Sequence, residues 1–266
     1  MNQNNDKTIM MLPGAFCSAS IFANFRDHFA AQCWTVLTPE LRHHDQGPGQ
    51  PTDPRLAQTG LGDYVADLGA LIAELPQPPV LLGHSMGGLL AQLLAAKGLA
   101  RALILLTPAP TWGVLPASDN EIAAAMGLMS IGPFWEQSLD AAFEIAAENS
   151  LNCLAPAGQR EVFAQFVPES GRALFESLFW MFDPGRASYV NPVMVDCPVL
   201  AIAGGRDRVI TPATVRQVAD KYLEQATYLE FADMGHMLLQ EDGWRDVASA
   251  CMDWLNLTYV NEACRL

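Results

Sequence analysis

A serine set among glycines, in Gly83–His84–Ser85–Met86–Gly87–Gly88, is the stretch of this chain whose spacing best suits chemistry. A serine hydroxyl is a weak nucleophile until a base takes its proton and a strained turn presents it. The glycines two before and two after Ser85 would let a strand and a helix pass closely on either side of such a turn. Short G-x-S-x-G patterns also arise by chance in glycine-rich loops, so the flanks decide. Val80–Leu82 is an unbroken apolar run, as in a strand buried on both faces of a parallel sheet. Leu89–Lys97 is built of strong helix formers and is stopped by Gly98. The pattern is therefore a nucleophile elbow, with a helix N-terminus directed at any anion that develops there.

Such a serine needs a base, a group that orients the base, and two backbone N–H donors for the oxyanion. The chain has 5 histidines. His28 lies on an amphipathic helix, and His84 adjoins the serine with its side chain directed away. His43 and His44 belong to Arg42–His43–His44–Asp45 in a proline- and glycine-rich loop over 39–60. Four consecutive residues cannot converge on one metal, so this run reads as a loop feature. His236 follows the strand expected over Thr227–Phe231, at the sheet edge where open α/β folds hold their ligands, and is the candidate base. Asp207 directly follows Val199–Ala203, and the chain order Ser85, Asp207, His236 is the one expected for this elbow. Asp183, Asp196 and Asp233 are rivals: the first two precede that strand, and Asp233 is too near His236 in sequence. Asp207 could otherwise be a turn residue or a partner of Arg208. For the oxyanion, Met86 supplies one N–H and the loop Pro13–Gly14–Ala15–Phe16 the other, from Ala15 with Phe16 as the one-residue alternative.

These groups need a scaffold. Runs rich in apolar, β-branched and aromatic residues predict strands over Thr8–Leu12, Trp34–Thr38, Val80–Leu82, Ala102–Leu106, Val199–Ala203 and Thr227–Phe231. Helical patterns over Ile21–Ala30, Tyr64–Leu75, Pro212–Leu223 and Asp242–Leu255 alternate with them. The fold class is α/β: a doubly wound, mostly parallel sheet of about six strands, without an N-terminal hairpin and with helices on both faces. Residues 111–190 break the alternation and read as a helical cap between the fourth and fifth strands, dividing a core of 1–110 and 191–266. Helices are expected there over Glu121–Ile131, Phe134–Leu151, Arg160–Val167 and Arg172–Phe182, with no strand. The segment is rich in aromatic residues and methionine. Most of these pack the cap, and some line an apolar gap above the core, for which Phe16, Trp112, Phe134, Trp135, Phe179 and Met237 are the candidates.

The totals narrow the class. A chain of 266 residues, 50% hydrophobic and 17% charged, suffices for one large core, with only the polar opening Met1–Lys7 expected to lack order. That opening lacks the apolar segment of a secretory signal, and no apolar run is long enough to span a membrane. A formal charge of −14 disfavours nucleic acid and anionic lipid as partners. The 6 cysteines, Cys17, Cys33, Cys153, Cys197, Cys251 and Cys264, show no metal or disulfide spacing and read as reduced thiols of a cytoplasmic protein. Cys17 follows the first strand near the prospective site, where packing is its expected role. No cofactor and no metal are expected, and the protein is read as a monomer or homodimer acting on a small molecule.

Gly83–Gly88, Gly205–Arg206–Asp207 and Gly235–His236 together resemble the α/β-hydrolase superfamily over nearly the whole chain. The start directly at the strand leading to the oxyanion loop is similar to the plant methylesterase and hydroxynitrile lyase group and to small bacterial carboxylesterases. Pro13–Gly14 stands where much of the superfamily has His-Gly. The resemblance implies a serine hydrolase that cleaves a small to medium carboxylic ester with an apolar component. Lyases of that group carry a threonine at the position of Gly14 and a lysine at that of Met237, so both positions look esterase-like. Dehalogenases and epoxide hydrolases use aspartate where Ser85 stands. A thioesterase, a lyase or a carbon–carbon bond hydrolase shares the same triad, and a non-catalytic receptor shares the same fold.

Overall fold

Period-two alternation in the first strand sets the layering. In the computed structural model, which describes residues 7–263, β1 (Thr8–Leu12) turns Ile9 and Met11 to one side of a sheet and Met10 and Leu12 to the other. All four are buried, so both faces are covered. Met1–Asp6 and Cys264 lie outside the described residues. The further strands are β2 (Thr35–Leu37), β3 (Val80–His84), β4 (Ala102–Leu106), β5 (Ser138–Leu139), β6 (Glu169–Ser170), β7 (Val199–Gly204) and β8 (Ala226–Phe231). Six form one parallel sheet in the order β2-β1-β3-β4-β7-β8. The winding reverses between β1 and β3, and a crevice opens beyond the carboxyl ends of two such strands.

The helices are α1 (Ala23–Ala31), α2 (Leu61–Ala73), α3 (Met86–Ala95), α4 (Asp119–Met129), α5 (Phe143–Glu148), α6 (Pro156–Phe163), α7 (Gly171–Leu178), α8 (Pro212–Asp220) and α9 (Trp244–Ala263). Phe25 and Phe29 of α1 pack with Val247, Cys251 and Leu255 of α9 on the face that Ile9 and Met11 enter. Tyr64, Leu68 and Ile72 of α2 join Leu89, Leu90 and Leu94 of α3 on the opposite face. Each such fully buried large side chain contributes roughly 1.5–3 kcal/mol. Among the described residues no helix is long and apolar enough to cross a membrane.

The crossing of β3, α3 and β1 leaves no room for side chains. A β-carbon on Gly83 would fall 2.2 Å from the carbonyl oxygen of Gly87, and one on Gly87 would fall 2.0 Å from that of Leu12. Both obstacles are backbone and cannot swing away. Gly87→Ala is therefore expected to remove about 3 kcal/mol or more of stability, read as a lowered urea midpoint. An unchanged midpoint would contradict this packing.

Between β4 and β7 the chain carries α4 to α7, but the sequence-based boundaries need correction. Phe134–Leu151 is not one helix: it contains a single 3-10 turn at Phe134–Glu136, then β5, then α5. β5 pairs antiparallel with β6, so the expectation of no strand in 111–190 was also wrong. The cause is a tertiary contact. The Gly171 N–H donates to the carbonyl of Gln137, and the backbones pass so closely that a β-carbon on Gly171 would meet Phe134 O at 1.9 Å. The helix read over Arg160–Val167 spans Pro156–Phe163, with proline in its first turn. That over Arg172–Phe182 ends at Leu178, with a 3-10 turn following.

Candidate active site

Ser85 stands between β3 and α3 with φ 51° and ψ −119°, a conformation that costs a non-glycine residue about 1–3 kcal/mol. Backbone bonds hold it there. Its N–H donates to Leu106 O at 3.0 Å, and its carbonyl accepts from Ala109 N–H at 2.8 Å and Gly88 N–H at 2.9 Å. The side chain is partly exposed at the carboxyl end of the sheet, where α3 begins.

His236 comes from the loop after β8, three strands away from β3 in the sheet order. That loop returns across the strand ends: the His236 carbonyl accepts from His84 Nε2 at 2.9 Å and from Thr107 Oγ1, just past β4, at 3.3 Å. The carbonyl can only accept, so His84 carries its proton on Nε2. Burial, aided by the neighbouring imidazole of His236, pulls the His84 pKa down to about 3, and this ring stays neutral. It lies 4.9 Å from the His236 ring. His236 Nδ1 meets Asp207 Oδ2 at 2.8 Å, while Asp207 Oδ1 accepts from the Val209 and Ile210 amides at 2.7 and 2.9 Å. Both side chains are almost wholly buried. With Nδ1 donating to the carboxylate, the His236 lone pair is on Nε2. Asp207 is thus a turn residue and the partner of His236 at once, whereas Arg208 donates instead to Glu148 O.

The loop after β1 lies against the serine: a β-carbon on Gly14 would fall 2.9 Å from Ser85 Cβ and 3.0 Å from His84 Nδ1. The Cys17 N–H donates to Gly14 O at 3.2 Å, which closes the turn of this loop. The segment leading into β6 anchors the loop from the other side. Val167 N–H donates to Phe16 O at 3.0 Å, and Cys17 bridges to Phe166. Below this lies a buried polar knot: Glu169 accepts from Tyr64 OH at 2.8 Å and from Ser170 N–H at 2.7 Å, and pairs with His44 at 3.4 Å. The His44 of the loop run is thereby a tie between core and insertion, and His43 pairs with Asp53 at 3.2 Å.

Four of the six expected pocket residues come together. Phe134, Leu174 and Phe179 form an apolar cluster with Trp135, Phe175 and Leu128, and Ala15 and Phe16 of the β1 loop pack against it. The other two lie elsewhere. Trp112 packs at a tilt against Trp180 and edge-on against Tyr189, under the Arg186 guanidinium, and Met237 is buried in the core with Leu238 and Leu239. Of the rival acids, Asp183 caps the Gly185 and Ala187 amides, and Asp233 pairs with Arg206. A cleft of about 470 Å³ opens behind Asp207, but both of its arginines are engaged, Arg206 with Asp233 and Arg208 with Glu148. Five cysteines, Cys17, Cys33, Cys153, Cys197 and Cys251, are free thiols, and among the described residues no cluster of metal ligands occurs.

Sequence reading missed Thr107, which supports the His236 loop, because a single threonine after a strand carries no signal. It also missed Glu121, whose carboxylate ties α4 to Thr211 and Thr214 at the start of α8. The capping box Ser118-x-x-Glu121 was the visible clue, although it marks only a helix start.

The fold agrees with the comparisons. By sequence the chain is 26% identical over 246 residues to the pimeloyl-[acyl-carrier protein] methyl ester esterase of Chromobacterium violaceum, with 86% of each chain covered. By structure it superposes on a methylesterase from Arabidopsis with a TM-score of 0.70, at 13% identity and covering 94% of this chain and 99% of that one. It also superposes on tomato methylketone synthase I with a TM-score of 0.72, at 14% identity and covering 95% and 99%. The alpha/beta hydrolase family model matches residues 9–250, and the chain belongs to that family.

Proposed function

We propose that the protein is a serine hydrolase of small to medium carboxylic esters, working through an acyl-enzyme. The observation that carries this reading is the Asp207–His236 pair at 2.8 Å, with the His236 carbonyl held by the His84 imidazole beside the strained Ser85. His236 Nε2 takes the Ser85 hydroxyl proton as Oγ attacks the ester carbonyl. The tetrahedral oxyanion is held by the amides of Met86 and Ala15, or of Phe16 in place of Ala15. As the C–O bond breaks, His236 returns the proton to the departing alcohol. A water molecule, deprotonated by the same ring, then attacks the acyl group and restores Ser85.

The apolar cluster around Phe134 and Phe179, packed on Ala15 and Phe16, supports an acyl or alkyl group without charge. A curated relative and a structural neighbour that bear esterase names support the ester itself. A panel of p-nitrophenyl esters of increasing chain length tests the reading, together with a fluorophosphonate probe and mass mapping of the labelled peptide. Turnover of short and medium chains and labelling of Ser85 are expected. Failure on every ester with turnover of a thioester or carbon–carbon substrate would transfer the same machinery to another reaction, and absence of labelling would remove it.

A further inference from the structure

A carboxylate closed off from solvent joins the core to the insertion. The side chains of Glu169, in β6, and His44, in the loop after β2, are both fully buried, and Glu169 Oε2 faces His44 Nε2 at 3.4 Å. Neither atom has another hydrogen-bond partner among the described residues. Their companion atoms are committed. Glu169 Oε1 accepts from Tyr64 O–H at 2.8 Å and from Ser170 N–H at 2.7 Å. His44 Nδ1 lies 3.1 Å from the Arg42 carbonyl, which can only accept, so this nitrogen carries a proton. A neutral ring would then turn the Nε2 lone pair towards a carboxylate oxygen. A second proton, on Nε2, converts that repulsion into an ion pair.

We propose that His44 is held as the imidazolium against a Glu169 carboxylate, and that this pair positions the loop after β1 for the oxyanion. The path is short. Glu169 lies two residues after Val167, whose N–H donates to Phe16 O at 3.0 Å, and Phe166 bridges to Cys17. On its other side, Ser170 Oγ donates to Thr59 O at 2.6 Å. Residues 166–170 thus run between the β1 loop and the knot, so a shift at Glu169 reaches Phe16. The inference rests on the reading of Ala15 or Phe16 as an oxyanion donor of an ester hydrolase. The groups facing the pair are Tyr64 from α2, Cys17 from the β1 loop and Glu40 from the loop of His44 itself, with Arg42 and Asp63 acting on Tyr64. Burial pulls the His44 pKa down, but the Glu169 carboxylate, the Arg42 carbonyl and Glu40 outweigh it and leave it raised. The pair is therefore complete below the ordinary histidine value and is lost as pH rises through the higher value in the fold.

Glu169→Gln replaces the titrating proton with a fixed one. Its oxygen still accepts from Tyr64 and Ser170, and its NH₂ donates to the bare Nε2 of a neutral His44. At neutral pH its kcat should stay near wild type. At alkaline pH wild type should lose kcat with little change in KM, and the variant should lack that fall. Glu169→Leu removes the tie and should lower kcat by about 10- to 100-fold at unchanged KM. A folded Glu169→Leu with full kcat, a Glu169→Gln equally impaired, or an alkaline fall shared by wild type and Glu169→Gln would each overturn the proposal. Nitrogen-15 shifts should show both His44 ring nitrogens protonated in wild type at neutral pH, and only Nδ1 in Glu169→Gln. A bare Nε2 in wild type also overturns it. These shifts need no turnover, so they decide the pair even where Glu169→Leu fails to fold. Absence of ester turnover by wild type would instead strike the hydrolase reading, while the shifts still report on His44.

Discussion

Replacing Ser85 by Ala is expected to lower kcat/KM for a p-nitrophenyl ester by on the order of 10⁴ to 10⁶, with the melting temperature unchanged. The backbone argument makes the second half as firm as the first. Ser85 is held at positive φ by bonds to Leu106, Ala109 and Gly88 that involve only main-chain atoms, so alanine inherits the same turn. Both residues bear a Cβ, so the strain is common to them. The missing oxygen is the atom that would attack. On the proposed mechanism, oxyanion stabilisation and substrate binding do not need the hydroxyl, so a residual rate above that in water is expected. The variant should also resist the fluorophosphonate probe. Near-normal turnover by a folded Ser85→Ala protein would refute the nucleophile.

Much of this site was legible because its parts are local. The runs Val80–Leu82, Ala102–Leu106 and Val199–Ala203 are buried on both faces, and burial on both faces requires unbroken apolar sequence. The elbow glycines announce a backbone crossing that nothing larger survives. Asp207 and His236 could be named because each ends a strand at the same edge of the sheet. What sequence could not carry is the route of the His236 loop over β4 and β7, which depends on His84 and Thr107, far from it in the chain.

The insertion was read less well, for a physical reason. β5 and β6 have two residues each, too few to show any period, and they exist because Gly171 lets residues 134–137 lie against them. The spacing of aromatic residues around Phe134 fits a helix equally well, and only the long-range contact breaks it. The same holds for Trp112, which its neighbours Trp180 and Tyr189 and the cover of Arg186 draw away from the apolar cluster.

Asp207→Asn is the second large effect expected, about 10⁴ in kcat, and it comes from one misplaced proton. Asp207 Oδ1 accepts two backbone amides, Val209 N–H at 2.7 Å and Ile210 N–H at 2.9 Å. In the asparagine variant those amides still need an acceptor, so the side-chain oxygen must remain with them. The NH₂ group is then forced to face His236 Nδ1, where Asp207 Oδ2 stood at 2.8 Å. Two donors cannot share a hydrogen bond, so Nδ1 gives up its proton and the ring carries it on Nε2. The nitrogen that should receive the Ser85 proton is already occupied. The fold is undisturbed because every backbone bond survives, so the melting temperature should hold while kcat falls and KM changes little. Flipping the asparagine would restore the tautomer only by setting its NH₂ against the Val209 and Ile210 amides, which is the costlier arrangement. Nitrogen-15 shifts of the His236 ring read the outcome directly: the protonated nitrogen should move from Nδ1 in the wild type to Nε2 in the variant. A ring that keeps its proton on Nδ1 while activity is lost would remove the tautomer explanation and leave the charge of Asp207 as the whole of its contribution.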